Sequence, residues 1–105
     1  MELCTGGSVR DIIDNAGPLP PQLMLVVAHD TLAGLAHMHS QGITHRDIKC
    51  ANLLLSESGC VKIADLGISE PFAGTVANSP VAGSPLWMAP EVVTRKPSNA
   101  TVDCW

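Results

Sequence analysis

The sequence predicts an α+β fold, and three observations carry that expectation. Between residues 21 and 41 apolar side chains recur at steps of three and four, which is the spacing of one helix face. The short apolar runs Leu53-Leu54-Leu55 and Val61-Lys62-Ile63 flank Ser56-Glu57-Ser58-Gly59, the pattern of a β-hairpin. From Leu66 to Pro90 glycine, proline, serine and alanine dominate without periodicity, and a segment of that length between regular elements is usually functional.

In chain order, the opening apolar residues Met1 to Cys4 end at the turn signal Thr5-Gly6-Gly7. Ser8 is predicted to cap a short helix through Ile13, because its hydroxyl can accept from a first-turn amide. Asn15-Ala16-Gly17-Pro18-Leu19-Pro20-Pro21 reads as a loop. The long helix is expected from about residue 21 to residue 41, with Gly42 at its C-terminal end and Leu25, Ala28, Leu32, Leu35 and Met38 turned into a core. Ile43-Thr44 is a further strand candidate.

Composition bounds the chemistry. The chain has 105 residues, is 46% hydrophobic and carries a formal net charge of -4, the profile of a globular domain. Only six Lys and Arg are present, too few and too scattered for a nucleic-acid surface. No apolar run of membrane-spanning length occurs, and the N-terminus lacks a basic flank and signal core. Cys4, Cys50, Cys60 and Cys104 show no paired spacing, which favours reduced thiols and a cytoplasmic setting over a disulfide framework or zinc site. His37, His39 and His45 lack a carboxylate-histidine motif and read as solvated or core residues rather than metal ligands.

The chemistry-bearing strings are His45-Arg46-Asp47-Ile48-Lys49-Cys50-Ala51-Asn52, then Asp65-Leu66-Gly67, then Ala89-Pro90-Glu91. Alone, each Asp or Asn is more often a turn-former than a ligand. Together and in this order they resemble the catalytic loop, metal-binding triplet and activation-segment end of the eukaryotic protein kinases. The resemblance covers essentially the whole chain. It implies a partial kinase-like fold, mainly the helical C-terminal lobe with a short hairpin and an activation segment. Measured against that family, the chain has no glycine-rich phosphate loop, lysine strand or partner glutamate helix before Met1 and nothing after Trp105 to build the rest of the large lobe, so residues 1–105 read as a fragment, a partial kinase domain with the N-lobe and distal C-lobe absent.

Residue roles follow from the resemblance. Phosphoryl transfer needs a carboxylate on the attacking hydroxyl, a cation on the moving phosphoryl group and oxygen ligands for magnesium. Asp47 would supply the first, Lys49 the second, Asn52 with Asp65 the third, and Ser84 would help position the substrate hydroxyl. The backbone of Glu2 and Cys4 would bond the adenine edge of ATP, with Met1 at the gatekeeper position, Leu54 beneath the ring and Ser8 near the ribose. His45 and Leu66 would stack in an apolar spine, and Asp103 would cap the catalytic loop. Arg46 would pair with a phosphate on Ser79, or alternatively Thr75. Leu66 stands where the family usually has phenylalanine, a volume-compatible exchange.

Lys49 two residues after Asp47 is the serine/threonine pattern, so a protein substrate is expected. The string Gly83-Ser84-Pro85-Leu86-Trp87-Met88-Ala89-Pro90-Glu91 is similar to the mitogen-activated kinase cascade branches, kinase-kinase-kinases and germinal-centre-type kinases, which usually carry threonine and an aromatic at the places of Ser84 and Leu86. Part of an active kinase competes with a non-catalytic remnant acting as a binding module. A small-molecule phosphotransferase is a third reading, which Lys49 and the Ala-Pro-Glu string disfavour.

Overall fold

In a computed structural model, residues 4–71, 82–96 and 98–105 are described. They divide into two compact units: residues up to Gly34 with Lys49–Ala64, and Leu35–Ile48 with the residues from Asp65 onward.

The first unit is built around a hairpin and two helices. Helix α1, Val9–Ala16, starts on a complete capping box, in which Ser8 Oγ accepts from the Asp11 amide at 3.1 Å while Asp11 Oδ2 accepts from the Ser8 amide at 2.8 Å. The helix runs three residues past the expected end. Asn15 Nδ2 donates to the Asp11 carbonyl, and Gly17, at φ 83°, closes the end by donating its amide to Ile13. Strands β2, Leu53–Leu55, and β3, Val61–Ile63, pair antiparallel with Leu54 opposite Lys62, at the bounds the sequence implies. Gly59, at φ 82°, makes the turn possible by donating its amide to the Ser56 carbonyl at 3.0 Å. On the other side of β2, Leu55 exchanges backbone hydrogen bonds with Gly6 and Gly7, so the chain before α1 lies against the hairpin as a short extra strand. Val9, Leu53 and Val61 form the core, with Ile13, Leu19, Val27, Leu55 and Ile63 packed around them.

Helix α2, Pro21–Ser40, matches the expected span, but its buried face differs. Leu25 and Leu32 are 71% and 66% exposed, whereas Leu23, Val27, Thr31, Gly34, Leu35 and Met38 turn inward. The helix is apolar nearly all round, so spacing alone does not single out one face. Two contacts do. A Cβ on Gly34 would sit 2.9 Å from Ile63 Cδ1, so glycine lets the helix approach β3 closely, and Asp30 Oδ2 accepts from the Val61 amide at 2.9 Å.

In the second unit, β1, Ile43–Thr44, pairs antiparallel with β4, Glu70–Pro71, a short strand inside the segment expected to be irregular. A 3₁₀ turn spans Pro85–Trp87, and helix α3, Pro90–Val93, begins with proline at its first position, where no amide is needed. The C-terminal element is a 3₁₀ helix, Ala100–Cys104, capped by Asn99. No helix among the described residues is long and apolar enough to cross a membrane.

Candidate active site

The loop after β1 is anchored by one carboxylate. Asp103, its side chain fully buried, accepts from the His45 amide at 2.8 Å through Oδ2 and from the Arg46 amide at 2.7 Å through Oδ1. His39 Nε2 lies 2.8 Å from the same Oδ2. Two consecutive amides on one carboxylate define a tight local path, and Arg46 follows it at φ 74°, a left-handed conformation that L-residues adopt only when neighbours enforce it. His45 is completely buried, as the sequence suggests, and its Nδ1 accepts from the Asp47 amide at 3.2 Å.

Asp47 is thereby fixed at its backbone, and its side chain is held as well. The residue is 8% exposed, and Oδ1 accepts from the Ser84 amide at 3.1 Å. Gly83, immediately before, has φ 120°, and a Cβ there would stand 3.1 Å from the Arg46 carbonyl. Only a residue without a side chain brings that amide to the carboxylate without displacement. Gly83 is a positioning element that motif reading left unassigned, and its signal was the glycine next to Ser84.

Asp65 is exposed and also left-handed, at φ 61°, with Oδ1 accepting from the Gly67 amide at 3.3 Å. Aspartate tolerates this geometry because its carboxylate bonds its own backbone two residues on. Leu66, expected to stack with His45, is 61% exposed. The second unit also holds a cleft of about 310 Å³ whose lining includes Arg46, Trp87, Val92, Asp103 and Trp105.

The remaining site residues belong to the first unit. Asn52 ends a 3₁₀ turn, Cys50–Asn52, and is buried; its amide donates to the Lys49 carbonyl at 2.8 Å and its carbonyl receives the Ala64 amide at 2.8 Å, tying the turn to the hairpin. Leu54 faces Ser8 across an isolated antiparallel bridge, and Cys4 is half-buried. The Ser8 hydroxyl, expected near a ribose, is engaged in the α1 cap. Met1, Glu2, Thr75 and Ser79 lie outside the described residues.

Among the described residues, the fold lowers the proton affinity of Asp11 and Asp30. Hydrogen bonds from the Ser8 hydroxyl and then the Ser8 amide hold Asp11 below the usual carboxylate range. Asp30 is likewise lowered, first by His29 and then by the Val61 amide. Both serve helix and hairpin ends rather than the loop carrying Asp47.

Sequence comparison agrees with the motif order. The model of the protein kinase domain matches residues 1–105. The chain is 47% identical over 109 residues to human mitogen-activated protein kinase kinase kinase kinase 3, covering 100% of the chain and 12% of that protein. It is 45% identical over 107 residues to the serine/threonine-protein kinase pakF of Dictyostelium discoideum, with 100% and 9% covered, and 40% identical over 106 residues to pakH of the same organism, with 100% and 21% covered. The chain therefore spans only a small part of the length of the curated relatives it matches. It belongs to the protein kinase domain family, among relatives that include named serine/threonine-protein kinases.

Proposed function

We propose that the chain carries the phosphoryl-transfer centre of an ATP- and Mg²⁺-dependent serine/threonine protein kinase acting on a protein substrate. The observation that carries this reading is the condition of Asp47: a buried carboxylate whose backbone is set by His45 and whose Oδ1 is held by the Ser84 amide at 3.1 Å. A carboxylate so restrained can orient a hydroxyl and take its proton as the oxygen attacks. Lys49 places a cation on the moving phosphoryl group, and the Ser84 hydroxyl helps position the substrate.

Asn52 and Asp65 offer an amide carbonyl and a carboxylate, hard oxygen donors of the kind Mg²⁺ selects, with phosphate oxygens and water to complete the shell. The residues present therefore fit the cation by donor chemistry. When bound, Mg²⁺ neutralises charge on the phosphate oxygens. The backbone of Glu2 and Cys4 reads the adenine edge, Leu54 lies under the ring and Ser8 is near the ribose. Arg46 receives a phosphate on Ser79, or on Thr75, which orders the activation segment. The four free thiols suit a reducing cytoplasm.

A second reading, that the 105 residues alone are a non-catalytic part of a kinase domain, is favoured by the large apolar side chains they expose, with Leu25 at 71%, Leu86 at 86% and Trp105 at 72%. One kinetic comparison addresses both readings. In the full-length protein, Asp47→Asn abolishes peptide phosphorylation but keeps Mg-ATP binding, Asp65→Asn loses Mg-ATP binding, and the 105-residue chain alone gives no turnover. Turnover in Asp47→Asn above about 5% of wild type would remove Asp47 from the base role.

A further inference from the structure

Residues 4–8 and the turn of the β2–β3 hairpin meet at a side-chain contact that the kinase strings do not include. Thr5 Oγ1 donates to Glu57 Oε1 at 2.9 Å across 52 residues of sequence. The register of the neighbouring backbone explains why these two face each other. Ser8 pairs with Leu54 in an antiparallel bridge, and Leu55 accepts from the Gly6 amide at 3.2 Å while donating to the Gly7 carbonyl at 2.9 Å. Carried outward in the same register, Gly6 stands opposite Ser56 and Thr5 opposite Glu57.

The two sides of this contact differ in how firmly they are held. At Ser56 the chain turns into the hairpin: its amide goes to the Cys60 carbonyl, its carbonyl takes the Gly59 amide, and its Oγ takes the Cys60 amide at 3.1 Å. Glu57 therefore rises from a turn that is fixed by its own bonds. The facing segment has less to fix it. Gly6 and Gly7 have no side chains to pack and more backbone freedom to lose than any other residue, and Gly7 sits at φ 74°. Past Leu55, Thr5 and Glu57 continue the tie with a side-chain bond in place of a backbone one.

In the functional reading given above, Cys4, the residue before Thr5, presents its backbone to the adenine edge, and Leu54, opposite Ser8, lies beneath the ring. Edge and floor of the nucleotide slot thus belong to the two strands that this bond joins. We propose that Thr5 and Glu57 are positioning residues for ATP: their hydrogen bond clasps the diglycine segment onto β2 and so fixes the backbone of Cys4 relative to Leu54. The clasp acts through the backbone, not by touching the nucleotide. The proposal rests on the roles given to Cys4 and Leu54, and its first readout does not depend on them. Both side chains are exposed, so the effect is a few-fold in an equilibrium rather than orders of magnitude.

The test uses the full-length protein with Thr5→Val, isosteric but without the hydroxyl, Thr5→Ser, which keeps it, Glu57→Ala, and the double variant Thr5→Val with Glu57→Ala. The substitutions are at exposed positions and should leave the fold intact. Hydrogen exchange at the Gly6 and Leu55 amides is expected to speed up about two- to fivefold in Thr5→Val and in Glu57→Ala, and to return close to wild type in Thr5→Ser. KM for ATP should rise about two- to fivefold in each of the two disrupting variants while kcat stays within about 1.5-fold, and the double variant should be no worse than the more affected single one, because one shared bond is lost once. Unchanged exchange in Thr5→Val overturns the proposal, as does a rise in KM that Thr5→Ser fails to reverse, a parallel fall in kcat, or losses that add in the double variant. Faster exchange with KM for ATP unchanged also overturns it, since the contact would then be made without reaching the nucleotide. A wild-type protein that binds no Mg-ATP sinks the functional reading and the nucleotide role of the clasp with it, and the exchange measurement separates that failure from a contact that is never formed.

Discussion

The hairpin β2–β3 and the loop carrying His45, Arg46 and Asp47 are built on opposite principles. The hairpin closes with backbone bonds between neighbours in sequence and buries Leu53 and Val61 against Val9. Its geometry is regular, and its energy is spread over many apolar contacts. The loop has no ladder. Two of its amides end on one carboxylate 57 and 58 residues away, and one of its residues is left-handed. Distributed apolar packing tolerates the loss of any one contact, whereas an irregular polar path depends on a single acceptor.

The sharpest way to break that contrast is to remove each region's central side chain. Asp103→Ala leaves two amides and the His39 N–H without their acceptor, at an expected cost of about 3–5 kcal/mol. Val9→Ala removes two methyl groups from the apolar core and should cost about 2 kcal/mol. Urea denaturation of the full-length variants measures both. Kinase turnover per folded molecule should collapse in Asp103→Ala and hold in Val9→Ala. Equal stability losses, with equal turnover, would mean that the loop is held by contacts other than Asp103.

The same contrast explains what could be read in the sequence. Strands β1, β2 and β3 and the start of α1 fell where expected, because alternation, turn residues and capping are local signals. Asp47, Lys49, Asn52 and Asp65 could be singled out as candidates because their order along the chain is itself the signal. The buried face of α2 was not. Leu25 and Leu32 are as apolar as Leu35, and what selects the face is Gly34 meeting Ile63 and Asp30 meeting the Val61 amide, contacts that exist only after the hairpin docks. Nor could the left-handed backbone of Arg46 and Asp65 be foreseen, since neither is glycine and the enforcing partners lie elsewhere. The His39 contact with Asp103 joins residues 64 apart and leaves no local trace.

Within the hairpin unit, two glycines sharpen the comparison further. A Cβ on Gly6 would meet the Leu55 carbonyl oxygen at 2.8 Å, and backbone engaged in a ladder cannot step aside. A Cβ on Gly34 would meet the Ile63 Cδ1 methyl at 2.9 Å, the far end of a side chain that can change rotamer. Gly6→Ala should therefore destabilise by about 1–3 kcal/mol. Gly34→Ala should stay within about 1 kcal/mol of wild type, because relief of glycine's entropy in a helix offsets the crowding. Thermal denaturation ranks the two, and the reverse order would show that the strand before α1 yields more easily than the helix contact.

The smallest expected effect is electrostatic and confined to the α1 cap. Asp11 sits below the ordinary carboxylate range because the Ser8 hydroxyl, and then the Ser8 amide, bond its ionised form. The folded chain thus holds the proton less tightly than the unfolded chain. The cap's contribution is full above the ordinary Asp value of about 3.9 and is lost as pH falls from there through the lowered folded value. Ser8→Ala removes the larger of the two causes, so Asp11 should titrate closer to its ordinary value. The stability gap between wild type and Ser8→Ala should be constant from neutral pH to about 5 and narrow below about 4. Asp30 supplies an internal control, since its lowering by His29 and the Val61 amide is untouched by the substitution. Carboxyl titration followed by NMR should show Asp11 moving upward and Asp30 staying in place. A gap that persists unchanged to the acid limit would mean that Ser8 supports α1 through its bond to the Asp11 amide alone, with the carboxylate a bystander.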